Sequence, residues 1–149
     1  MNMRSSNDNT VIEALSKAPL WAGLNIQDLK LIAKLSKERK YAAGDVIVKK
    51  GDLGVGFYLL VDGAVDIKSD GAILAKLGPG QFFGEMSLLD NQPRSADAIA
   101  TEPSTCRIIS VWSFKALISD NPRIAFKMLR ELARRLRKTD TSLDKSASA

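Results

Sequence analysis

The chain has 149 residues, enough for one hydrophobic core, with 45% apolar and 26% charged residues and a net charge of +5. It has no histidine and one cysteine, Cys106, which excludes an internal disulfide and a Ser-His-Asp or Cys-His nucleophile and argues against a zinc site. Met1 to Thr10 is polar and lacks the apolar middle of a signal peptide, and no apolar run is long enough to span a bilayer, so a cytoplasmic location is expected.

Residues 1–9 and 141–149 are small and polar and are expected as flexible tails around a single domain over 10–140. Val11, Ile12 and Leu15 fall at helical spacing, and the helical reading extends to residue 40. Leu20-Trp21 reads as an anchor onto the core, and Asn25 as the cap of a second helix whose apolar face is Leu29, Ile32, Ala33 and Leu35. From Tyr41 to Ser110 glycines recur between short runs rich in Val, Ile, Leu and Phe, the mark of antiparallel strands in a barrel or jelly roll. Asp62-Gly63 and Asp70-Gly71 both carry the signature of a tight hairpin turn. Cys106 falls in one such run and reads as a small core or strand residue. After Ser110 the glycines stop. Val111 to Asp120 reads as a short helix, and Asn121-Pro122 as cap and first residue of a longer one with Ile124, Phe126, Met128, Leu129, Leu132, Ala133 and Leu136 as a broad apolar stripe. The fold class expected is mainly β with flanking helices: an antiparallel β-roll or jelly roll, N-terminal helices, and C-terminal helices serving as hinge and lid.

The chemistry concentrates between Gly78 and Ala96. Gly84 permits close backbone approach to a ligand, and Glu85 to Leu89 can form a helical turn whose first N–H groups suit an anion. Pro93 fixes the chain before Arg94, whose planar fork matches a phosphate. A carboxylate beside a phosphate site makes sense if it accepts from a sugar hydroxyl, so Glu85 and Arg94 read as a ribose–phosphate clamp. The other reading is that the two pair with each other or with water.

Phe83-Gly84-Glu85-Met86-Ser87-Leu88-Leu89 followed by Pro93-Arg94-Ser95-Ala96 resembles the phosphate-binding cassette of the cyclic-nucleotide-binding domain family. Ala43-Gly44-Asp45-Val46-Ile47, Gly51-Asp52, Phe57 to Val65 and Leu77-Gly78-Pro79-Gly80 add to the resemblance in family order. The resemblance implies that Arg94 pairs with a cyclic phosphate and that Glu85 binds the ribose 2′-hydroxyl. It further implies contacts from Phe83, Gly84, Met86, Ser87 and Ala96, and a hydroxyl on the phosphate from Ser95. Serine after the arginine favours cyclic AMP over cyclic GMP. Base contacts fall to Arg134, Arg135 and Thr139 on the last helix, although Asp140 departs from the small hydroxyl residue expected there, and Thr139 also reads as an exposed helix-end residue.

The implied protein is a stand-alone cyclic-nucleotide sensor, not an enzyme, with no metal or cofactor, that relays occupancy by moving its C-terminal helices to a protein effector. No helix-turn-helix follows before Ala149, so DNA binding is not expected; monomer and homodimer both stay open. Two other readings compete: a ligand-free interaction module on the same fold, and a nucleic-acid binder using the basic stretch from Arg123 to Lys138.

Overall fold

The structure, a computed structural model, describes the backbone of residues 3–85, 87–90 and 92–148. Three helical segments open the chain: α1 (Met3–Lys17), a 3-10 turn over Pro19–Trp21, and α2 (Ile26–Leu35). Asn25 caps α2 as expected. Its side chain accepts from the Asp28 N–H at 3.0 Å, and the Asp28 carboxylate accepts back from the Asn25 N–H at 3.3 Å. Leu20 and Trp21 are buried, and the indole meets Phe57 and Phe114 edge-on at 6.0 and 5.5 Å.

Eight strands follow: β1 (Lys37–Tyr41), β2 (Val46–Val48), β3 (Gly56–Asp62), β4 (Val65–Ser69), β5 (Ala72–Leu77), β6 (Phe82–Phe83), β7 (Asp97–Ala100) and β8 (Ser104–Ser110). They form two antiparallel four-stranded sheets in the orders β1-β8-β3-β6 and β2-β7-β4-β5. This is the expected jelly roll with flanking helices. Between β6 and β7 lies α3 (Ser87–Asp90); after β8 come α4 (Val111–Asp120) and α5 (Pro122–Ser148). The core divides in two. Tyr58, Leu60, Val65, Ala98, Ala100 and Cys106 fill the inside of the roll, while Phe57, Leu59, Leu88, Ile109 and Phe114 join the helices on its outer side. Cys106 is the buried strand residue expected, and burial pushes its thiol up to about 11.

Several local expectations are corrected. Residues 37–40, read as the end of a helical region, form β1 together with Tyr41: Lys-Glu-Arg-Lys-Tyr has no apolar alternation because this edge strand is solvated on both faces until Tyr41. Asp70-Gly71 is the tight hairpin predicted, with φ of 51° and 83°. Asp62-Gly63 is not a hairpin. β3 and β4 belong to different sheets, so this turn carries the chain across the roll. Pro122 opens α5 as expected, with the Asn121 carbonyl accepting from the Ile124 N–H at 2.9 Å, but the Asn121 side chain turns back to α4, its amide donating to the Leu117 carbonyl at 3.0 Å. The first helix is described from Met3 and the last to Ser148. Helix extension adds a backbone hydrogen bond per residue without any apolar signal for periodicity to detect.

The start of α5 is fixed to the body by a buried carboxylate. Asp28 is fully buried, and its two oxygens accept from Arg123 at 2.7 Å and from Lys127 at 2.8 Å. Ile124 and Met128 on the same turns are buried in the helix-side core. Burial pushes the Asp28 carboxyl up, but the contacts from Lys127, Asn25 and Arg123 together hold it below the ordinary carboxylate range. The stabilisation is therefore complete above the unfolded-state pKa and is lost as pH falls through the depressed folded value. Because Arg123 stays half exposed and can rehydrate, Asp28→Ala should cost about 2 kcal/mol, below the range for a fully buried pair. Urea titrations from neutral to acid pH should show the wild-type advantage over Asp28→Ala shrinking toward zero at the acid end.

Candidate functional site

The segment from Phe82 to Ala96 is placed by strand geometry. β6 pairs with β3 through Tyr58↔Phe83 and Leu59↔Phe82. Successive side chains of a strand point to opposite faces. Phe82 accordingly stacks on Phe57 at 5.4 Å on the helix side, and Phe83 stacks on Tyr58 at 4.9 Å inside the roll. The chain then turns at Gly84, whose φ of 82° favours glycine, and enters α3. Ser87 is buried against Gly54, where a Cβ would overlap the serine hydroxyl, and Leu88 enters the helix-side core.

Arg94 is held by backbone from the β2–β3 loop. Its N–H donates to the Asp52 carbonyl at 2.7 Å and its carbonyl accepts from the Gly51 N–H at 2.9 Å. The side chain turns inward. Nη2 donates to the Gly56 carbonyl at 2.7 Å, and the guanidinium carbon lies 5.5 Å from the Tyr58 ring centroid. A Cβ on residue 84 would come within 2.2 Å of Arg94 Nη1, so only glycine leaves the guanidinium its place. Nε is buried without a hydrogen-bond partner, and among the described residues no carboxylate pairs with Arg94. Burial pulls its pKa down, with Tyr58 opposing.

Glu85 is also partly buried, and its Oε2 has no partner. Burial raises the carboxyl pKa; Arg135 and the Leu20 backbone N–H pull the other way without restoring it. Glu85 and Arg94 do not pair with each other. They line one cavity of about 470 Å³, together with Phe83, Gly84, Ser87, Ser95 and Ala96. Met86 lies outside the described residues. Arg134, Arg135 and Thr139 do not reach this cavity. They border a separate groove along α5, with Arg134 and Arg135 donating to Glu131 and Thr139 donating to the Arg135 carbonyl at 3.1 Å.

The sequence reading missed the apolar floor of the cavity, Val48, Ile67 and Ala98, and the two groups that aim Arg94, the Gly56 carbonyl and the Tyr58 ring. The inward-facing alternation of β4 and β7 marks Ile67 and Ala98. A backbone carbonyl leaves no mark in a side-chain sequence. The arrangement offers a confined cation, a buried carboxylate oxygen without a hydrogen-bond partner and an apolar wall, which suits a small molecule bearing an anionic group, a hydroxyl and an apolar body.

The family model described as "Cyclic nucleotide-binding domain" matches residues 38–121, from β1 to the end of α4. The chain is 39% identical over 132 residues to the cyclic AMP receptor protein of Thermus thermophilus, covering 85% of this chain and 61% of that one. It is 29% identical over 119 residues to the cAMP-dependent protein kinase regulatory subunit of Yarrowia lipolytica, covering 80% of this chain and 32% of that one. It thus spans less than two thirds of either relative. Among solved structures, the N-terminal domain of a transcriptional regulator from Streptomyces coelicolor A3(2) superposes with a TM-score of 0.77 at 30% identity, covering 87% of this chain and 94% of that one. The family is a regulatory binding domain, not a catalytic one, and the jelly roll, the match from residue 38 to 121 and these likenesses agree: this chain belongs to the cyclic-nucleotide-binding domain family.

Proposed function

We propose that the chain is a cytoplasmic sensor of cyclic AMP, and less favourably of cyclic GMP, acting as one unit over residues 10–140. The observation that carries this reading is the pair of unsatisfied groups lining one cavity: a guanidinium whose Nε is buried without a partner and a carboxylate whose Oε2 is buried without one. A cyclic phosphate satisfies the first and a ribose 2′-hydroxyl the second. Ser95 borders the same cavity and suits a further hydrogen bond to the phosphate. The cavity's volume lies within the range of roughly 300–1,000 Å³ usual for small-molecule sites. The Thermus relative's name supports adenine over guanine.

The relay runs through Leu88 and not Leu89. Leu88 is packed in the helix-side core with Val111, Phe114 and Leu117 of α4, whereas Leu89 is exposed. Ligand bound at Gly84 to Ser95 acts on α4 through that contact. The Asp28 clamp keeps the first turns of α5 on α2, so the part of α5 free to swing lies beyond Lys127. The shift is limited by the ligand's differential affinity for the two arrangements. Hydrogen exchange with and without cyclic AMP should show altered protection within residues 111–138; unchanged protection there defeats the relay.

Calorimetry tests the site. Arg94→Leu should weaken cyclic AMP binding by a factor of about thirty to a few thousand, from a loss of about 2–5 kcal/mol. The 2′-deoxy analogue should bind wild type about ten-fold or more weakly than cyclic AMP, because it leaves the Glu85 carboxylate unpaired, and that penalty should largely vanish in Glu85→Gln. Glu85→Gln should also leave the ligand-free protein as stable as wild type or more so by up to about 1 kcal/mol at neutral pH. The sign follows from the raised carboxyl pKa: its burial penalty applies above that value and fades as pH falls below the unfolded one. A destabilised Glu85→Gln protein with unchanged ligand preference would make Glu85 a structural residue.

A further inference from the structure

Tyr58 lies where the inner core of the roll meets the Arg94 guanidinium. It is buried in the cluster that holds Leu60, Val65 and Cys106, and Phe83 stacks on it at 4.9 Å with 6° between the ring planes. The pairing of β6 with β3 sets Phe83 opposite Tyr58, so the backing ring is fixed by the strand ladder. The Arg94 guanidinium carbon lies 5.5 Å from the Tyr58 ring centroid. β3 thus supplies the ring and, two residues before it, the Gly56 carbonyl that accepts from Nη2 at 2.7 Å. Tyr58 does not line the cavity, so any effect it has on a ligand passes through Arg94.

An arginine is rich in rotamers, and holding its fork in one geometry costs that freedom. The hydrogen bond from Nη2 fixes one corner and lets the rest of the fork swing about it. An aromatic face attracts the cation as a whole and takes up no N–H, so Nε keeps its proton with no partner. An aliphatic side chain at position 58 would fill the core but would exert no such pull. We propose that Tyr58 is a positioning residue, whose π face holds the Arg94 guanidinium ready for an arriving anionic group, and that its hydroxyl is not needed for this. The identity of that anion as a cyclic phosphate rests on the nucleotide reading of the cavity.

Calorimetry with cyclic AMP on variants of the full chain tests this. Tyr58→Phe should keep the affinity within about twofold, and Tyr58→Leu should weaken it about five- to thirty-fold. Mono-, di- and trifluorinated phenylalanines at position 58 keep the ring's shape while draining its π face, and affinity should fall step by step along that series. Leu60→Val, a change in the same inner cluster but away from the cavity, should leave affinity unchanged. The proposal is overturned if the fluorinated rings bind as well as Tyr58→Phe, or if Leu60→Val weakens binding as much as Tyr58→Leu. Should Tyr58→Leu fail to fold, the fluorinated series decides alone. A wild type that binds no cyclic AMP defeats the nucleotide reading, and Tyr58 is then judged on urea unfolding of the ligand-free protein. There, fluorination should destabilise the chain with Arg94 intact but not Arg94→Leu, and an equal effect in both backgrounds overturns the proposal.

Discussion

A guanidinium drawn partly out of water, with no carboxylate beside it, is an expensive thing for a fold to hold in place. Arg94 is held by neutral groups from the β2–β3 loop and from β3. The β2–β3 loop fixes its backbone, the Gly56 carbonyl takes one N–H, and the Tyr58 ring lies under its plane. None of these cancels the charge. A carboxylate in the position of the Gly56 carbonyl would hold the side chain as well but would compete with any anion arriving in the cavity. Neutral acceptors orient the guanidinium and leave its positive charge available, which is the arrangement an anion site needs. The open backbone at Gly84 is the complementary condition, since any Cβ there would meet Arg94 Nη1.

The division of the core into two follows from the same segment. One residue step along β6 sends Phe82 to the helix side and Phe83 to the inside of the roll. The cavity wall and the helical layer are therefore joined by a few residues of continuous chain. Leu88, buried among α4 residues three positions after Glu85, extends that link. A ligand that restrained Gly84 and Glu85 would act on the packing of α4 without any long chain of intermediates. This is a physical connection between two packed layers, not a correlation between distant positions.

Much of this was readable in the sequence, for identifiable reasons. Gly-rich turns between β-branched runs specify the roll, and Asn25 marks a helix start because a capping side chain must sit where it does. The cassette was readable because its side chains serve both geometry and chemistry. Other features were not. β1 carries no apolar alternation, since an edge strand has little to bury. Asp62-Gly63 has hairpin composition but joins strands of different sheets, and turn composition reports local φ, not which strand pairs with which. The Asp28 clamp joins positions 95 and 99 residues apart, and a buried aspartate looks in sequence like any helix-cap acid.

The arginines of α5 show why proximity alone does not make a ligand contact. Arg134 and Arg135 follow the family pattern expected for the base, and Arg135 opposes the rise that burial gives the Glu85 carboxyl pKa. Yet Glu131, buried on the same helix, accepts from both guanidiniums. That local fork keeps Arg135 committed to its own helix, so its field reaches Glu85 while its hydrogen bonds do not. The carboxylate is thereby partly compensated, enough to persist in a buried place, and still has an oxygen with nothing bonded to it. Were Arg135 to close onto Glu85 in a full ion pair, that oxygen would be taken and a sugar hydroxyl would have to displace a charged donor to reach it. Glu131 holds Arg135 on its own helix, and Glu85 Oε2 stays without a hydrogen-bond partner.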